Sequence, residues 1–223
     1  IIMEKLDLNI PVDSVILKGD LTVPDKAIGI VIFAHGSGSS RFSTRNKMVS
    51  ELLQKENIGT FLFDLLTEEE DRVYENRFNI DLLTSRLIDV TEWVLDNKET
   101  KKFPIAYFGA STGAASALKA AAFFENTIKA VVSRGGRPDL AIQELPMVTA
   151  PTLLIVGGLD VPVISMNKMA FEKLESVKEM QIVYGATHLF EESGKLIEVA
   201  NLAINWYKKY LVQPKTTKKI KSL

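Results

Sequence analysis

Apolar runs of strand length alternate with amphipathic stretches along most of the chain, the pattern of repeated βα units around a mainly parallel sheet. Residues 29–34 (GIVIFA), 59–63 (GTFLF), 105–108 (IAYF), 130–132 and 152–156 (TLLIV) are apolar almost throughout, as strands covered on both faces must be. Residues 181–184 close the series. Two earlier segments, 5–10 and 14–23, read as an antiparallel pair, with turns around Pro11 and Lys18-Gly19-Asp20. Between the strands, Leu83, Leu87, Val90 and Val94 recur at three- and four-residue steps in 80–95 and mark one buried helical face. Residues 164–177 and 194–211 behave likewise, the latter through Leu196, Ala200, Ala203 and Tyr207. The alanine-rich stretch 114–124 suits a helix lying close against a sheet. No repeat, low-complexity tract or linker divides the chain. A single domain over 1–223 is expected, with antiparallel strands in 1–23 and a basic tail in 212–223.

Composition narrows what this scaffold can do. A chain of 223 residues supports one sizeable core. No apolar run approaches the roughly 20 residues needed to cross a bilayer. The first residues lack the apolar segment of a signal peptide, so a cytoplasmic protein is expected. A formal net charge of −1 provides no global field to draw nucleic acid or an anionic membrane, and neither is expected as a partner. The basic run 215–221 reads as a solvated end. The absence of cysteine excludes disulfides, thiolate metal sites and a cysteine nucleophile together. With only two histidines a histidine-rich metal site is not expected either, nor is a cofactor. Monomer and homodimer both remain open.

Candidate chemistry centres on Gly109-Ala110-Ser111-Thr112-Gly113, a G-x-S-x-G pattern between an apolar strand and an alanine-rich helix. A serine on such a turn is forced into crowded backbone geometry, which flanking glycines relieve. The following N–H, at a helix N-terminus, faces any oxyanion that develops. A serine hydroxyl needs an adjacent base, and only two residues offer an imidazole. His188 follows the last strand, at the carboxyl edge where Ser111 also lies. His35 opens the small-residue loop His35-Gly36-Ser37-Gly38-Ser39-Ser40, better suited to backbone N–H donors than to a mobile base. Asp160, in Gly157-Gly158-Leu159-Asp160-Val161-Pro162, supplies a carboxylate at the same edge to orient the imidazole. Asp64 precedes the serine and reads as a carboxylate bracing a loop. Asp139, after Arg137-Pro138, reads as the start of a short helix.

The His35-Gly36-Ser37 loop, the 109–113 turn, the 157–160 turn and the Gly185-Ala186-Thr187-His188 loop, in that order, resemble the α/β-hydrolase superfamily. Within it, size and motif wording are similar to the dienelactone hydrolase-like branch. The resemblance spans about residues 13–210. It implies an α/β-hydrolase fold, mostly parallel with helices on both faces. It also implies Ser111 as nucleophile, Asp160 as acid, His188 as base and an oxyanion hole from the backbone N–H groups of Ser37 and Thr112. Dienelactone hydrolase itself uses a cysteine where this chain has Ser111, which favours a more general ester hydrolase. The connection 133–150 is too short for a large lid. Arg134 and Arg137 flank it and, with His35, are candidate substrate contacts; a grip on a carboxylate or phosphate and an ion pair with Asp or Glu are both open for the arginines. The acidic run Glu68-Glu69-Glu70-Asp71 reads as a solvated loop or as the partner of those arginines. The expected activity is hydrolysis of small carboxylic esters through an acyl-enzyme. A lactonase, a serine peptidase or acyltransferase, and a non-catalytic ligand-binding protein are the alternatives.

Overall fold

The computed structural model describes residues 3–212, so Ile1, Ile2 and all of the tail beyond Val212 lie outside the described residues. Strands β1 (Met3–Val12) and β2 (Val15–Pro24) form an antiparallel hairpin. Its turn lies at Asp13 and Ser14, with Asp13 at a φ of 47°, and not at the sites the glycine and proline pattern indicates. Pro11 sits inside β1, an edge strand, where a missing N–H is tolerated. Gly19 sits inside β2 because the ring of Phe61 covers it: a Cβ there would meet Phe61 Cε2 at 2.5 Å.

The chain then runs through β3 (Ile30–Ala34), α1 (Thr44–Lys55), β4 (Gly59–Phe63), α2 (Glu68–Asp71), α3 (Ile80–Asp96), β5 (Ile105–Ala110), α4 (Thr112–Phe124), β6 (Ile128–Arg134), β7 (Thr152–Gly157), α5 (Val161–Lys173), β8 (Lys178–Val183) and α6 (Lys195–Leu211). One eight-stranded sheet results, in the order β1-β2-β4-β3-β5-β6-β7-β8, parallel from β4 to β8. Every residue of β3, β4, β5 and β7 is buried, as the unbroken apolar runs require.

Alternation along the strands feeds two cores. Ile30, Ile32 and Tyr107 pack under α3, α4 and α5, beside Leu83, Leu87, Ala117 and Ala170. Val31, Phe33, Ala106 and Phe108 face α1 and α6, beside Val49, Leu53, Val199 and Ala203. Two phenols fasten these layers to the central strand. The Thr91 hydroxyl donates to the Leu87 carbonyl (2.7 Å), so the Tyr107 hydroxyl is the donor in its 2.8 Å bond to Thr91. Tyr207 of α6 donates to the Tyr107 carbonyl (2.7 Å), beside a register shift between β5 and β6.

Two local elements differ from the sequence expectation. Helix α1 carries no strong apolar stripe; Ser43 caps it by accepting the Asn46 N–H, and Val49 and Leu53 hold it to the sheet. The acidic run is no loop but α2, closed by a capping box between Thr67 and Glu70. Its acids also pair elsewhere than expected, Glu70 with Arg86 and Asp71 with Arg77. The 133–150 connection holds only short 3-10 turns, Pro138–Ala141 and Leu145–Met147, and Asp139 falls in the first. No helix among the described residues is long and apolar enough to cross a membrane.

Candidate active site

Ser111 stands between the end of β5 and the start of α4 with φ 51° and ψ −122°, a conformation L-residues rarely adopt. The surrounding backbone fixes it. Its N–H donates to the Arg134 carbonyl (3.2 Å), and its carbonyl accepts from Ala114 (3.1 Å) and Arg137 (3.0 Å). Gly113 lets α4 approach β3: a Cβ there would lie 2.2 Å from the Ala34 oxygen and 2.4 Å from the His35 oxygen. Gly36 lies against the serine, its own Cβ position being 3.1 Å from Ser111 Cβ.

Asp160 and His188 are joined by a 2.7 Å hydrogen bond from His188 Nδ1 to Asp160 Oδ2. The carboxylate is largely covered, while the imidazole is about a third exposed. Nδ1–H pointing at the acid leaves Nε2 free to take a proton. Their two loops are stitched together by backbone. Gly158 N–H donates to the Val183 carbonyl and Leu159 N–H to the Ala186 carbonyl, both at 2.9 Å. The His188 loop is tied down further. Glu192 accepts from the Thr187 hydroxyl (2.6 Å) and the Thr187 N–H (3.0 Å), bonds that hold its carboxyl below the usual range. Glu191 pairs with Arg45 of α1 at 2.6 Å, and Phe190 is fully buried at a φ of 58°.

The serine and the imidazole converge on one short segment. Arg134 holds the Ser111 N–H, and at the next residue a Cβ on Gly135 would stand 3.6 Å from His188 Cε1. Among the described residues the Ser111 hydroxyl makes no hydrogen bond, to His188 or elsewhere. The Ser37 N–H is engaged by Thr112 Oγ1 at 2.9 Å, a link that spacing along the chain does not reveal.

The remaining candidates separate. His35 is buried, its Nδ1 bonded to the Gly36 carbonyl (2.9 Å) and its Nε2 accepting the Leu65 N–H (3.0 Å), so it braces two loops and presents nothing to a substrate. Asp64 is a brace as expected, accepting from the Arg41 backbone (2.8 Å) and guanidinium. Arg137 is held in a two-pronged pair with Asp139, at 2.9 and 2.8 Å. Arg134 pairs with no acid among the described residues. It is buried over the Phe190 ring with one donor on Asn46 (3.1 Å), and burial, with Arg45 nearby, pushes its guanidinium down to about 10.

The His35 geometry sets a pH dependence of stability. Burial pushes the imidazole below its ordinary value by stripping water from the charged form, against the Gly36 carbonyl bond, which favours that form. A histidine with a folded pKa below its unfolded one stabilises fully above the unfolded value and loses that contribution as pH falls. Thermal melts are expected to fall between about pH 7 and about pH 5, and to fall less in His35→Gln, which removes the titrating ring. An equal fall in both proteins refutes the assignment.

No family model matches the chain. Its sheet order, serine turn and loop arrangement define an α/β-hydrolase, and solved structures agree. An esterase from Pyrococcus furiosus superposes with a TM-score of 0.75 at 17% identity, over 94% of this chain and 92% of its own, a likeness of fold alone. A dienelactone hydrolase from Anabaena variabilis superposes with a TM-score of 0.91 at 51% identity, covering 93% of this chain and 98% of that one. The chain belongs to the dienelactone hydrolase family. Proteins from two strains of Mycobacterium tuberculosis, named "Putative phosphoribosyl transferase", are 55% identical over 196 residues. That match takes in 88% of this chain but 44% of theirs, so the chain spans less than half the length of these curated relatives.

Proposed function

We propose that the chain hydrolyses small carboxylic esters through an acyl-enzyme on Ser111. The observation that carries the reading is the His188–Asp160 hydrogen bond at the edge of the sheet where the strained Ser111 turn lies. His188 Nε2 takes the hydroxyl proton as Ser111 Oγ bonds to the ester carbonyl carbon. The carbonyl π pair moves to oxygen, which the Thr112 N–H receives, while the Ser37 N–H stays engaged on Thr112 Oγ1 beside it. Collapse of the intermediate expels the alcohol with the proton from His188, and water, deprotonated by His188, then releases the acid. Asp160 keeps the imidazole in the required tautomer and stabilises the imidazolium.

A lactone is a cyclic ester and opens by the same acyl step, so the name of the 51% identical Anabaena protein accords with this chemistry. Between β6 and β7 the described residues form only short turns over the carboxyl edge, which favours small or flexible substrates. Phosphoribosyl transfer, in the name of the mycobacterial relatives, is said of proteins of which this chain matches 44% and forms no part of this reading.

Short p-nitrophenyl esters and a fluorophosphonate probe test the reading. The wild type is expected to turn over the esters and take one covalent label, and Ser111→Ala to lose both. His188→Ala is expected to lower turnover by about 10³-fold or more. Full activity in Ser111→Ala removes the nucleophile assignment. Preferential turnover of peptides, or of esters only with an alcohol acceptor present, selects a peptidase or an acyltransferase instead.

A further inference from the structure

The proposed acyl step uses only the backbone N–H of Thr112. Its side chain also occupies a distinctive place. Thr112 Oγ1 accepts the Ser37 N–H at 2.9 Å, across the gap between the β3 loop and the first turn of α4. Both backbone groups that the family resemblance assigns to the oxyanion therefore flank the Thr112 hydroxyl. An N–H has a single proton, and that of Ser37 is already spent on this oxygen. A hydroxyl that accepts through a lone pair still has its own proton to give. Among the described residues no acceptor receives it, although Thr112 is only 5% exposed. A buried donor without an acceptor is costly, and the geometry leaves the oxyanion of the acyl step to supply one.

We propose, resting on the esterase reading, that the Thr112 side-chain hydroxyl is a catalytic donor of the oxyanion hole, polarised by the Ser37 N–H behind it. When Ser111 Oγ bonds to the carbonyl carbon, the π pair moves onto oxygen and the serine proton passes to His188. Thr112 keeps its proton and donates a hydrogen bond to the new alkoxide alongside its own backbone N–H. Because the accepting charge exists only in the tetrahedral species, the contact acts on turnover more than on substrate binding. A chain of two donors in line also strengthens the terminal one.

The test compares wild type, Thr112→Val and Thr112→Ser with a p-nitrophenyl ester and with a trifluoromethyl ketone of matching acyl group. The ketone forms a charged tetrahedral adduct on the serine and so reports oxyanion stabilisation directly. Thr112→Val keeps the side-chain shape but removes the hydroxyl. It is expected to lower kcat by about 10- to 100-fold, with KM within about threefold, and to weaken ketone inhibition by a similar factor. Thr112→Ser, which retains the hydroxyl, is expected to recover most of both losses. Thermal melts of all three proteins identify any loss that comes from misfolding. A Thr112→Val enzyme with undiminished kcat and ketone affinity overturns the proposal. So does one with a raised KM and unchanged kcat, which marks a loop brace alone. A wild type that neither hydrolyses the ester nor binds the ketone overturns the esterase reading beneath it.

Discussion

Ser111→Gly is expected to abolish ester turnover, by about 10³-fold or more, and at the same time to raise the melting temperature. The activity loss follows, on the proposed mechanism, from removing the attacking hydroxyl. The stability gain follows from the backbone, since a non-glycine residue at φ 51° and ψ −122° stores strain of about 1–3 kcal/mol. Glycine adopts that conformation freely, although its extra freedom in the unfolded chain offsets about 1 kcal/mol of the relief. A net gain near 1 kcal/mol corresponds to about 2–4 °C for a chain of this length. Ser111→Ala separates the two effects, since alanine loses the hydroxyl but keeps the strain. If Ser111→Gly melts no higher than Ser111→Ala, the turn is not strained in the way its dihedral angles indicate.

The largest effect on stability is expected at Gly113. Glycine inside an exposed helix is ordinarily replaced by alanine with a gain of about 1 kcal/mol, because alanine is the better helix former. Here the sign reverses. The added methyl would stand 2.2 Å from the Ala34 oxygen and 2.4 Å from the His35 oxygen, both backbone atoms that no rotamer change can move. Relief requires α4 to retreat from β3, opening the contact that seats Ser111 against Gly36. A loss of about 3 kcal/mol is expected for Gly113→Ala in chemical denaturation, with turnover falling even in the folded fraction. Gly185→Ala provides a contrast: the only neighbour of its added methyl is the flexible end of Lys195, at 3.9 Å. That variant meets only the backbone cost of a φ of 73°, a smaller loss.

The parallel strands were legible because full burial leaves a mark in one dimension. β4 coincides with its apolar run, β5 extends its own by Gly109 and Ala110, β7 by Gly157, and β6 by Ile128 and Lys129 before it and Ser133 and Arg134 after it. Helix α1 left no such mark. It buries Asn46, Ser50 and Gln54 along with Val49 and Leu53, so polar residues stand on its inner face. The hairpin turn was misplaced because glycine and proline serve two masters. Gly19 makes room for an aromatic ring and Pro11 rests on an edge, while the actual turn uses Asp13 and Ser14.

At the site, the order of the loops along the chain and the shared edge of a parallel sheet were enough to bring Asp160 to His188. They were not enough to sort the basic residues. Nothing in the spacing of His35, Arg134 and Arg137 distinguishes a brace, a buried cation and a neighbour pair, since each outcome depends on which face of a turn meets which loop. The bond from the Ser37 N–H to the Thr112 hydroxyl is hidden for the same reason: its ends are far apart in the chain and adjacent only after folding.

The placement of α6 bears on how the molecule matures during synthesis. This helix, the last described element, lays Val199, Ala203 and Tyr207 over the same core as Val31, Phe33, Ala106 and Phe108 of β3 and β5. A chain emerging from the ribosome presents its serine turn well before His188 and before that covering helix. On the proposed mechanism, such a nascent segment holds the serine with no base to activate it, beside a sheet face still open to water. Closure of the hydrophobic interior and the arrival of the imidazole depend on the same stretch, from Gly185 to Leu211, so on the proposed mechanism hydrolytic competence follows the folding of that stretch.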